Sequence, residues 1–227
     1  MFKTNKYLYP NNIIFIMDAV NTPIQHTIVG IFTAVLMLIM GLVLKVPWST
    51  ALGRVSFILL FLALLIGPVM KLKKPSHVSS PLKSPWGWRG ELGIWFALTG
   101  LIHFIVILLD RPFSELIKIG GSGYALANLL GLVALVWALI LTIASFGKVI
   151  RFLGVDSWKW LHSFSYVVFY LVSAHFIYFQ FFSTYGEVGP DWFGYLAVSM
   201  VIVIIILQLT AFVMTLMKRE PIVLEES

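Results

Sequence analysis

The 227-residue sequence contains no cysteine. That absence excludes disulfides, thiolate metal centres and cysteine-ligated iron–sulfur clusters. Charge is also scarce. Ten acidic residues stand against 16 lysines and arginines, and charged residues make up 11% of the chain. No strand–turn–helix dinucleotide fingerprint occurs. The glycine cluster "GGSG" at 120–123 lacks the G-x-G-x-x-G context, so no nicotinamide-binding domain is expected in this sequence. The apolar run Ile13–Val20 is interrupted by Asp18 and is not followed by a small-residue cleavage pattern. A removed signal peptide is therefore not expected.

Apolar residues are abundant. They make up 59% of the chain, and the mean hydropathy is +0.94. A membrane span needs roughly 20 apolar residues to cross a ~30 Å hydrocarbon layer. Six segments qualify: 27–46, 54–70, 90–109, 124–146, 158–182 and 192–217. Runs this long favour helices over barrel strands, because a helix satisfies its own backbone inside lipid. The expected fold is all-α, a polytopic membrane protein of six transmembrane helices with both termini cytoplasmic. Residues 1–26 read as a cytoplasmic or interfacial lead-in, 27–217 as the six-helix domain and 218–227 as a short tail. The orientation follows from the basic residues. Lys71, Lys73, Lys74, Lys83 and Arg89 fall in the second loop, Lys148, Arg151 and Lys159 in or beside the fourth, and Lys218 and Arg219 after the last span. Positive loops remain in the cytoplasm, and this topology puts all of them on one side. The same rule explains the net charge of +6 without nucleic acid. Tryptophans 48, 86, 88, 158, 160 and 192 lie near span ends, as an aromatic belt does.

Five histidines remain to be explained. His77 lies in the basic loop and His26 at the start of the first span, both unremarkable places. His103, His162 and His175 lie within spans, where ionisable residues are costly and default to functional candidates. The plain alternative is a neutral histidine bonded to a neighbouring helix. Depth favours function. His103 sits 13 residues from Gly90, about 20 Å along the third helix. His175 sits 13 residues beyond His162 on the fifth helix, which runs in the same direction. His103 and His175 thus share a depth in the outer half. Two neutral imidazoles at one depth on neighbouring helices are what bis-histidine haem b requires. Zinc wants a third or fourth ligand, and neither carboxylate nor cysteine occurs at that depth. Six-coordinate haem leaves no open position for oxygen and suits electron transfer. His162 lies about 20 Å nearer the cytoplasm, where a second haem would need His26 or His77 as partner. His162 could instead position FMN, a quinone or a propionate. Thirteen residues leave His162 and His175 roughly 140° apart around an ideal helix.

Three segments carry a family resemblance: "GRVSFILLFLALLIGP" (53–68), "WRGELGIWFALTGLIH" (88–103) and "LGVDSWKWLHSFSYVVFYLVSAH" (153–175). The sequence resembles the ferric reductase-like transmembrane cytochromes. Among them it is most similar in size to the haem-binding membrane subunit of the bacterial periplasmic methionine sulfoxide reductase system. The resemblance implies that His103 and His175 ligate haem b iron. It makes His162 the inner functional histidine and a further candidate iron ligand, and it places Arg54 near the haem propionates. Arg54 read without the resemblance is a snorkelling interface residue. Two-haem relatives carry a second histidine on the third helix, and this chain has none. The implied function is an electron-transfer subunit in a bacterial inner membrane. It would take electrons from a separate flavoprotein or quinol on the cytoplasmic side and pass them to an outer acceptor, a periplasmic reductase subunit among the candidates. The alternative is a six-helix transporter or a structural subunit of a membrane complex, for which Gly67-Pro68 is the one candidate helix break.

Overall fold

The computed structural model describes residues 22–72, 85–116, 123–182 and 189–217. These residues form helices and no strands. Helix α1 (Pro23–Leu38) begins with proline at its first position, and the Thr22 hydroxyl accepts from the Gln25 N–H at 3.3 Å. This cap places its start four residues before the expected one. A π-helical turn, Ile39–Val43, extends it. Next come α2 (Trp48–Leu72), α3 (Pro85–Asp110), the single turn α4 (Phe113–Leu116) and α5 (Gly123–Ala144). The chain continues through α6 (Gly147–Leu153), α7 (Val155–Ser163) and α8 (Ser165–Ile177), which a second π-helical turn, Tyr178–Phe182, prolongs. Helix α9 (Trp192–Met217) is the last and has the limits read from the sequence.

Six segments are long and apolar enough to cross a membrane, in agreement with the sequence: Pro23–Val43, Trp48–Met70, Trp88–Asp110, Tyr124–Ala144, Val155–Phe182 and Trp192–Met217. One differs in form from the expectation. The fifth is not one straight helix, because α7 and α8 meet at a break at Phe164. The hydroxyls of Ser163 and Ser165 donate to the carbonyls of Trp160 and His162, three residues back, at 2.6 and 2.7 Å. Such back-bonding competes with the helical ladder and bends it. In the second span, Gly67-Pro68 does not stop the helix. Helix α2 runs through Pro68 to Leu72, although the ring removes one backbone donor.

Helix α2 is the centre of the bundle. In its most apolar window 61% of residues are buried, against 17–22% in the other five spans. It packs most extensively on α3, and also on α9, α8 and α1; the second extensive pairing is α5 with α8. Phe57, Leu59 and Leu64 of α2 meet Phe169 of α8 and Phe193 and Ile204 of α9 in the core. Outward faces are apolar as well. Ile24, Ile28, Ile31 and Val35 on α1, and Ile202, Ile206, Leu209 and Val213 on α9, are exposed at helical spacing. Stripes of this kind suit hydrocarbon. The first 21 residues, the basic loop 73–84 with His77, and 218–227 lie outside the described residues.

Candidate functional site

The start of α2, the end of α3, the start of α5 and the end of α8 share one end of the bundle. There His103 and His175 line a single cavity of about 480 Å³. This volume falls in the range of ligand clefts, roughly 300–1,000 Å³.

Each imidazole is held by a facing helix in the same manner. His103 of α3 donates from Nδ1 to the Ser49 carbonyl of α2 at 2.7 Å. His175 of α8 donates from Nδ1 to the Ala127 carbonyl of α5 at 2.8 Å. A carbonyl can only accept, so Nδ1 carries the proton and Nε2 keeps its lone pair. In both cases glycine stands four residues beyond the accepting carbonyl, one helical turn on. A Cβ at Gly53 would lie 3.3 Å from His103 Cε1, and one at Gly131 would lie 2.7 Å from His175 Nδ1. Glycine costs a helix interior about 1 kcal/mol relative to alanine. Here its lack of a side chain is what admits the ring. Among the described residues neither Nε2 has a hydrogen-bond partner.

Aromatic rings, including Phe57, Phe96, Phe104 and Phe176, make up much of the cavity wall. The polar end is different. Arg54 is 4% exposed, so it does not snorkel. It lies six residues inside α2 rather than at the span's end. Its guanidinium is ion-paired with Asp191 and stands over the Phe193 ring, 5.1 Å from the centroid. Arg54 Nε and Nη1 and Asn128 Nδ2, on residues that line the cavity, are buried without a partner. An unsatisfied buried polar group costs about 1–3 kcal/mol. All three are donors. A ligand completing them must present acceptors, and anionic ones beside Arg54.

The donor set therefore fits haem: two Nε2 lone pairs for iron, glycine cradles behind the rings, apolar walls for the macrocycle and orphan donors for its carboxylates. Among the described residues no group of three or more His, Cys, Asp or Glu could hold a bare metal ion, whereas the iron of a haem would need only one or two protein side chains.

His162 is not brought to this cavity. It lies on α7, with Nε2 3.1 Å from Ser145 Oγ and Nδ1 3.2 Å from the Trp158 carbonyl. Its ring packs on Trp158 at 4.4 Å between centroids. His26 lies in the first turn of α1 and does not line the cavity. Sequence reasoning missed Gly131, Asn128 and Asp191. A glycine in the middle of an apolar span was the available signal for Gly131; nothing local pointed to Asp191.

The fold and site define a polytopic membrane protein built around an intramembrane two-histidine cavity. The model of the family described as ferric reductase like transmembrane component matches residues 52–173, which is 122 of 227, and the chain belongs to that family. It is accordingly a membrane electron-transfer component, and transmembrane domains of this family generally bind haem. The match takes in Gly53, His103, Gly131 and His162 and ends two residues before His175. No curated protein matches the sequence.

Proposed function

We propose that the chain is a cytochrome b subunit that holds one haem b between His103 and His175. It passes electrons outward across a bacterial inner membrane. The observation that carries this reading is the pair of imidazoles, each anchored through Nδ1 to a facing helix and each with Nε2 free towards one cavity. Bound there, haem supplies one-electron exchange between ferric and ferrous iron. The chain's own part is positional. Ser49 and Ala127 fix the imidazole tautomer, Gly53 and Gly131 set the approach of the rings, Arg54 and Asn128 receive carboxylates, and the phenylalanines exclude water.

The basic residues Lys71, Lys73, Lys74, Lys83 and Arg89 support a cytoplasmic location for the opposite end of the bundle. The haem then lies in the outer half. Electrons come from a flavoprotein or a quinol on the cytoplasmic side, and FMN or a quinone near His162 is the entry cofactor. The outer acceptor is a partner, and a periplasmic reductase like that of the methionine sulfoxide system is the candidate the family resemblance offers. The test is a reduced-minus-oxidised visible spectrum of the purified protein with a pyridine haemochrome count. A low-spin b-type spectrum with about one haem per chain is expected. No haem in protein produced with haem in supply would overturn the reading.

His162→Ala is expected to keep the haem count and the low-spin spectrum, because both ring nitrogens already bond within the protein. It should slow reduction by the donor. Loss of one haem of two would instead make His162 a ligand.

A further inference from the structure

The acidic residue before α9 offers more than an end to a loop. Asp191 and Arg54 stand 137 positions apart in the chain and form an ion pair. The same carboxylate accepts the N–H groups of Phe193 and Gly194 through Oδ1, at 3.1 and 3.2 Å, and so caps α9. Its own N–H donates to Gln180 Oε1 at 3.3 Å. Gln180 belongs to the π-helical turn that follows His175, and it lines the cavity. Gly194 leaves room for it: a Cβ there would lie 2.9 Å from Gln180 Oε1. One residue therefore joins the α2 wall, the α8 wall and the start of α9 around the polar end of the cavity.

Charge gives this tie a second consequence. Arg54 is 95% buried in its side chain, while Asp191 is 35% exposed. An isolated buried guanidinium would place a full positive charge beside the cavity. Paired, the two charges largely cancel. Asp191 bonds Arg54 through Nη2 and leaves Nε and Nη1 unpartnered.

We propose that Asp191 is a positioning residue that holds Arg54 in the cavity wall and, by offsetting its charge, lowers the reduction potential of the haem. This rests on the haem reading above. A reduced haem carries one more negative charge than an oxidised one. Removing the anion should favour reduction, and removing the cation should oppose it.

The experiment is a spectroelectrochemical titration of the full-length haem-loaded protein and its variants. Asp191→Asn keeps a side-chain oxygen to cap α9 and loses the charge. Its midpoint should rise, with the ratio of reduced to oxidised haem at a fixed potential moving on the order of tenfold, which for one electron is 59 mV. Arg54→Met should move the midpoint down by a similar amount, and the double variant should return near the parent. Arg54→Lys keeps the charge and should stay near the parent even where stability falls. A purely structural tie would lower thermal stability and move both single variants alike or not at all. Unmoved or same-signed midpoints in haem-loaded variants would overturn this inference alone. A parent chain without haem would overturn the haem reading and this inference with it.

Discussion

His175→Ala is expected to remove the haem, lowering the content from about one per chain to less than a tenth. The argument is geometric. The cavity has one imidazole on α3 and one on α8, and without the second a haem held as proposed would lose one of its two protein ligands and its link to α5 and α8. The fold should survive. The truncation leaves the Ala127 carbonyl in its helical ladder and opens apolar space in a wall that already faces a cavity, so the helical circular dichroism should match the parent. His103→Ala should behave alike. The check is a haemochrome count on protein purified in the presence of haem. Retention of the parent spectrum by both variants would rule out this ligand pair.

The second large effect concerns residues that never touch iron. Gly131→Ala would set a methyl group 2.7 Å from His175 Nδ1 and 2.9 Å from Cε1, while Gly53→Ala would meet His103 at 3.3 Å. Overpacking of this kind costs about 1–3 kcal/mol. The first contact is too close to absorb. The ring must leave the Ala127 carbonyl, and its Nε2 turns with it. The second needs a shift of a few tenths of an ångström. Gly131→Ala is therefore expected to lose most of its haem, and Gly53→Ala to keep it with a lower thermal midpoint for haem release. Parallel haem counts and melting curves decide the matter, and the reverse order would contradict the cradle.

Much of this was legible in the sequence because the bilayer imposes a simple rule. An apolar run of sufficient length must be a helix, and six such runs gave six spans, the last to the residue. Depth along a helix is likewise a matter of counting, so His103 and His175 could be paired before any coordinates. What counting cannot give is rotation and contact. Gly53 and Gly131 have meaning only against the ring each faces, and those rings come from helices 50 and 44 positions away in the chain. Asp191 likewise has meaning only against Arg54, its partner across the bundle. The break at Phe164 depends on where two serine hydroxyls turn, and apolar patterning is silent about that. Pro68 sits inside the second span as read from the sequence, and the helix runs through it. In water proline commonly ends a helix; in a span the chain has no better place for its backbone than the helix it is already in.

The two extensive helix pairings, α2 with α3 and α5 with α8, each carry one histidine together with the carbonyl and glycine that seat it. Each pair is thus a self-contained half-socket. Helices in a bilayer form first and associate afterwards, so both imidazoles can be oriented before the halves meet. A haem held as proposed would then be the keystone between two finished arches, and without it the halves would stand aligned but unlocked.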